Sequence, residues 1–179
     1  NCLYLDEENG DDTSDGKEEG SAVQSFAKAK ELATEDQSIR TIYVLSTVHI
    51  SGDITLNGTR AILKRAPSFS DYLLSIDSGS DTVLHDITVD GGGKEGQEAQ
   101  KSLILLGGNL TIEDGTVLQN NHVTAPEDST RAYGGAINVF NEFGTTDKTL
   151  TMTGGIIQNN SAYLGGGICL WDQSTFTMS

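Results

Sequence analysis

Short stretches rich in aliphatic side chains return at nearly even intervals along this chain, and that period restricts its folding more than any other feature. Arg40–Leu45, Tyr72–Asp77, Ser102–Gly107, Gly135–Phe140 and Gly166–Trp171 begin 32, 30, 33 and 31 residues apart. When they are stacked, the third column reads Ile42, Leu74, Ile104, Ile137, Ile168 and the fifth reads Val44, Ile76, Leu106, Val139, Leu170. All ten are aliphatic, whereas the column between them reads Tyr43, Ser75, Leu105, Asn138, Cys169. Successive side chains of an extended backbone point to opposite sides, so each stretch predicts a strand with one dry face and one mixed face.

Two further strands are expected in each period. Ile54–Leu56, Val83-Leu84, Leu110–Ile112, Leu150–Met152 and Phe176–Met178 form the second set, and Ile62-Leu63, Ile87–Val89, Thr116–Leu118 and Ile156-Ile157 the third. Three strands in about thirty residues leave no room for crossover helices. Equal spacing between like strands is the mark of a coil whose rungs stack in parallel, an all-β solenoid of about five rungs. The longer links at 91–101 and 122–133 fall between a third strand and the next rung, so insertions share one corner.

Upstream of the repeat, residues 1–39 differ in character from residues 40–179. The first twenty residues carry eight acids (Asp6, Glu7, Glu8, Asp11, Asp12, Asp15, Glu18, Glu19) against Lys17, a local net charge of −7, and read as a solvated loop. Ser21 with Gln24 gives a capping-box signature, and Ala22, Phe26, Ala29 and Ala33 follow at helical spacing. An amphipathic helix over Ser21–Ala33 is therefore expected to cover the open core of the first rung. No closing element follows the second strand of the fifth rung, so the stack is expected to continue in the natural protein. Cys2 and Cys169 read as two free thiols, and the opening at Asn1 reads as a processed segment.

Charge limits the partners. The 179 residues hold 26 acidic and 11 basic side chains, a formal net charge of −15 that repels phosphate backbones and anionic headgroups. The longest strongly apolar run, Leu103–Leu106, is far short of the roughly 20 residues that cross a bilayer. Nucleic acid and membrane insertion are thus both disfavoured.

Two motifs repeat with the rungs. Leu118-Gln119-Asn120-Asn121 and Ile157-Gln158-Asn159-Asn160 are each followed by a glycine-led strand, Gly134-Gly135-Ala136-Ile137 and Gly165-Gly166-Gly167-Ile168. These resemble the FxxN and GGAI repeats of polymorphic outer-membrane proteins and related bacterial adhesins, with Leu118 and Ile157 where that repeat has Phe. The opening, from Tyr4 through Gly10-Asp11-Asp12-Thr13-Ser14-Asp15-Gly16 to the helix and Ile42-Tyr43-Val44, is similar to the start of many pectate-lyase-like β-helices. The resemblance spans nearly the whole chain. It implies a right-handed parallel β-helix with an N-terminal capping helix, an extracellular or cell-surface location and adhesion. The same fold carries lyases, hydrolases and phage tailspikes, so function has to come from the site.

Candidate sites follow from side-chain chemistry. Asn120-Asn121 and Asn159-Asn160 occupy one corner of successive rungs, where Asn tolerates left-handed backbone and amides can bond from rung to rung. Thr111, Thr151 and Thr177 form an outward column that strand propensity explains. Asp11, Asp12 and Asp15, with Asn9, gather hard oxygens that suit calcium, although the EF-hand pattern is absent. For catalysis, Asp86 and Asp114 could face one another on adjacent rungs as a glycosidase pair. A lyase would add a base beside acids such as Asp77 or Asp90, yet Lys64, Arg65, Lys94 and Lys101 repeat in no acid–base column. His49, His85 and His122 share no metal-ligand spacing. For binding, Phe140 and Trp171 end neighbouring rows of the stack, Tyr133 and Tyr163 precede the glycine runs, and Phe143 follows in a loop. Such rings can stack on sugars or on a protein's apolar patch, and they can equally pack on each other.

Three functions remain open at this point: an adhesin segment that binds a host or environmental glycan or protein, a calcium-dependent polysaccharide lyase or glycoside hydrolase of the β-helix type, and a passive stalk. Further β-helix or anchoring domains of the same polypeptide are the other expected partners.

Overall fold

A computed structural model describes residues 1–93, 101–124, 133–139, 147–171 and 173–179. The chain opens with β1 (Cys2–Leu5), a 3-10 turn at Glu19–Ser21 and the helix α1 (Phe26–Glu35). Strands then come in threes: β2 (Thr41–Val44), β3 (Val48–His49) and β4 (Gly52–Ile54); β5 (Ile62–Arg65), β6 (Leu74–Ile76) and β7 (Asp81–Leu84). The pattern continues with β8 (Thr88–Asp90), β9 (Ile104–Leu106) and β10 (Asn109–Ile112), then β11 (Val117–His122), β12 (Ile137–Val139) and β13 (Lys148–Met152). The last three are β14 (Ile156–Ser161), β15 (Ile168–Leu170) and β16 (Ser174–Met178).

These strands form three parallel sheets. The first runs β1-β2-β5-β8-β11-β14, the second β3-β6-β9-β12-β15 and the third β4-β7-β10-β13-β16. From β2 onward each strand therefore returns to its own sheet three strands later, a solenoid-like, all-β arrangement with one α-helix among the described residues. The aliphatic columns read from the sequence lie in register: Leu74, Ile104, Ile137 and Ile168 are successive partners, as are Ile76, Leu106, Val139 and Leu170. Leu74, Ile76, Ile104, Leu106, Ile137 and Val139 are fully buried and belong to one continuous core. In the third sheet Thr111, Thr151 and Thr177 align as expected.

The first row of the expected stack is corrected. Ile42 and Val44 belong to the first sheet, where they pair with Leu3 and Leu5 on one side and Leu63 and Arg65 on the other. The partner of Leu74 is Val48. Aliphatic alternation is the same in every sheet, so it gives the inward phase of a strand without saying which sheet the strand joins.

Two readings of the head are also corrected. The acidic stretch includes β1, whose Leu3 and Leu5 are buried; a strand of four residues was hidden beneath the surrounding carboxylates. The helix begins at Phe26, not at Ser21. Its N-cap is Ser25, whose side chain accepts from the Lys28 N–H, and the Asp12 carboxylate accepts from the Gln24 and Ser25 amides at 2.8 Å each. Those two bonds hold the chain extended until Ser25. Ser21 instead donates to Asp15. Ala29 and Ala33 are fully buried and, with partly buried Phe26 and Leu32, join the core containing Leu3 and Leu5, so α1 does lie against the β1 end of the stack.

Candidate functional site

The corner between the first and second sheets carries the densest polar network among the described residues. Asn120 and Asn159 adopt left-handed backbone, with φ of 57° and 52°, which turns the chain after two rungs in the same way. Asn121 is fully buried. Its amide donates to the carbonyls of Lys101 (2.9 Å) and Gly135 (2.7 Å), and its backbone N–H donates to the side-chain oxygen of Asn160. Outward of it, Gln158 donates to Gln119 at 2.9 Å, and Gln119 and Asn120 donate to the Asp90 carboxylate at 2.9 and 2.8 Å. A Cβ at Gly91 would lie 2.5 Å from the Asn121 side-chain oxygen, so only glycine fits beside this ladder.

Arg65 ties the corner together. It is 2% exposed, and its guanidinium donates to the Asp71 carbonyl, to the Lys101 carbonyl at 2.9 Å and to the Asn121 side-chain oxygen at 3.2 Å. Burial outweighs the nearby Asp71 charge and pulls the guanidinium down to about 10. Asp71 and Lys101, whose carbonyls it holds, precede Tyr72 and Ser102. Those two residues open the groove.

The groove, of about 490 Å³, runs along the second sheet. Tyr72 leads into β6, Lys101 and Ser102 into β9, Tyr133 and Asn138 belong to the β12 rung, and Trp171 follows β15. Asn138 is 4% exposed and faces both ways: its side-chain oxygen accepts from the Trp171 indole N–H at 3.2 Å, while its amide donates to the Tyr72 hydroxyl at 3.4 Å. Tyr133 meets Trp171 edge to face, with ring centroids 4.7 Å apart and planes at 84°. Ser102 donates to the Tyr133 carbonyl at 2.8 Å. Lys101 stands 5.0 Å over the Tyr72 ring and pairs with Asp71 at 2.8 Å. The result is an open trough in which Asn138 holds the Tyr72 and Trp171 rings and Tyr133 packs edge to face on Trp171. A planar, mostly apolar ligand face rimmed with hydroxyls suits such a surface.

Of the expected binding residues, Tyr133 and Trp171 meet in this groove. Tyr163 is 74% exposed and stands outside it, and Phe140 and Phe143 lie outside the described residues. Tyr72, Ser102 and Asn138 were not picked out beforehand as binding residues. Their signal was positional: Tyr72 and Ser102 begin rows of the stack, and Asn138 sits in the outward column beside Cys169.

The other candidates are placed elsewhere. Asp86 and Asp114 do occupy neighbouring rungs, the Asp86 N–H donating to the Asp114 carbonyl at 3.2 Å, but on the corner between the third and first sheets. There the Asp86 carboxylate contacts His85 Nδ1 at 3.2 Å, and Asp53 lies 2.7 Å from His85 Nε2. In the head, Asp11 accepts from Thr13, Asp12 from Gln24 and Ser25, and Asp15 from Lys17 and Ser21. These bonds hold all three carboxyls below the usual range. Among the described residues no three His, Cys, Asp or Glu side chains gather as a metal site. Cys2 and Cys169 are free thiols. No described helix is long and apolar enough to cross a membrane. Comparison of the chain with protein-family models, curated proteins and solved structures gives no match.

Proposed function

We propose that this chain is a segment of right-handed parallel β-helix from an extracellular or cell-surface protein, and that it binds carbohydrate along the second sheet. Strand order supports the fold: from β2 onward three sheets are filled in rotation, with parallel pairing throughout. Right-handedness follows from the preference of connections between parallel strands. The surface role rests on the resemblance of the Asn and Gly motifs to those of bacterial adhesins.

One observation carries the binding reading, the relay in which buried Asn138 bonds both Trp171 and Tyr72. A buried amide with both ends engaged fixes the rings before any ligand arrives, which lowers the ordering cost of binding. Hydrolysis by Asp86 and Asp114 ranks second, favoured by their position on neighbouring rungs, but the pair lies on a different corner from the rings.

The test is an immobilised-glycan screen with the native chain and its Trp171→Ala variant, with serum proteins as a parallel panel. Trp171 is 39% exposed, so truncation leaves the interior columns intact. Retention on a subset of glycans, weakened about tenfold or more in the variant, is the expected result. Equal retention of the two proteins, or capture by proteins alone, overturns the reading.

A further inference from the structure

Resting on the carbohydrate reading, we infer that the groove takes a neutral, extended polysaccharide lying along the stacking direction of the rungs, and discriminates against acidic sugars. Three observations point there. Lys101 is the one charged side chain among the described residues lining the groove, and its ammonium is already matched by Asp71 at 2.8 Å. A uronate arriving at Lys101 would have to displace that carboxylate or sit beside it. It would also approach a chain of net charge −15, whose field opposes it at long range.

The remaining polar groups suit hydroxyls. The Tyr72 hydroxyl accepts from the Asn138 amide and has its own proton left to give a sugar oxygen, whereas Ser102 and Asn138 are buried and already engaged with Tyr133 and the two rings; none of the three requires a charge opposite it. Geometry then sets the length. From the β6 rung, which Tyr72 enters, to the β15 rung, which Trp171 leaves, is three steps of ~4.8 Å, or roughly 14 Å between backbones, although the Tyr72 hydroxyl and the Trp171 indole lean toward each other and meet at Asn138. A chain of about two or three sugars laid along the rungs would cover the rings and the backbone between them.

The chain holds one tryptophan, and it stands in this groove, so its fluorescence reads the site directly. Titration of the native protein with neutral gluco-, manno- and xylo-oligosaccharides, from di- to hexasaccharide, and with matched galacturonate oligomers separates the possibilities. Expected is a shift in Trp171 emission with one neutral series, the affinity rising about tenfold between disaccharide and tetrasaccharide and then levelling. Galacturonates should bind at least about tenfold more weakly, and Asp71→Asn, which frees Lys101, should narrow that gap. Galacturonate binding as tight as neutral binding, or saturation by a single sugar, overturns the inference and leaves carbohydrate binding standing. Silence of both series in fluorescence and in calorimetry overturns the carbohydrate reading itself.

Discussion

Asn121 and its neighbour Asn120 show how two identical residues in sequence carry different physical tasks. Asn121 is fully enclosed; its side chain serves three partners, the Lys101 and Gly135 carbonyls and the Arg65 guanidinium, and its backbone N–H donates to Asn160. Truncation to alanine strands the Gly135 carbonyl and one guanidinium N–H in a place water does not reach, and leaves the Lys101 carbonyl with Arg65 alone. Asn120 is valued for its backbone, since φ of 57° disfavours most side chains and glycine adopts it without strain. Urea unfolding is therefore expected to show Asn121→Ala losing about 2–3 kcal/mol, and Asn120→Gly losing under about 1 kcal/mol, the latter through its side-chain bonds to the Asp90 carboxylate and the Asn159 amide. Similar losses at the two sites would mean that the amide ladder does not hold this corner. Arg65 is buried without a carboxylate in hydrogen-bond contact: its charge is spread over two carbonyls and an amide oxygen, while its Nε–H has no partner among the described residues.

At the level of the strand and the turn, rungs are joined by side chains as well as by ladder bonds. His85, just after β7, reaches back to Asp53 of β4 with one ring nitrogen and to its neighbour Asp86 with the other. The bond from Asp86, helped by Asp53, raises the imidazole above its ordinary 6.5, so the folded state holds the proton more tightly than the unfolded chain. Its contribution is then fully present below pH 6.5 and fades as pH rises through the elevated folded value. Melting curves at pH 5.5 and 8.5 should differ less in His85→Gln than in the native chain, by on the order of 1–2 °C, because the pair is solvent-exposed. An unchanged difference would remove His85 from the pH response.

Much at this scale was legible in the sequence. Four of five rows of the principal stack, the second and third strand sets and the threonine column all follow from period-two alternation. What escaped was decided by partners far away in the chain. Only the pairing of β1 with β2 reveals that Leu3 and Leu5 are interior. Only the Asp12 carboxylate, twelve or more residues before its donors, explains why α1 waits until Phe26. Asn138 looked like an ordinary outward residue, since its two aromatic partners come from rows 66 residues before and 33 after it.

For the whole molecule, stability in a stack of this kind is close to a sum of terms between neighbouring rungs, because each rung touches only the ones beside it. Interior columns should thus lose protection gradually toward the β14–β16 rung, which is paired on one side alone. Burial already shows the gradient: Ile137 and Val139 are fully enclosed, while Leu170, in register with Val139, is 42% exposed. Deleting methyl groups at Ile137 opens a cavity between two rungs, and Ile137→Ala should cost about 3 kcal/mol. Leu170→Ala removes surface that is partly hydrated already and should cost under about 1 kcal/mol. Hydrogen exchange on the native chain should order the amides the same way, slowest in β6, β9 and β12 and fastest in β14 to β16, with Ile137→Ala raising exchange chiefly in β9, β12 and β15. Uniform protection, or a global response to Ile137→Ala equal in every strand, would show that the sheets melt as one unit and that the neighbour-by-neighbour account of this fold is mistaken.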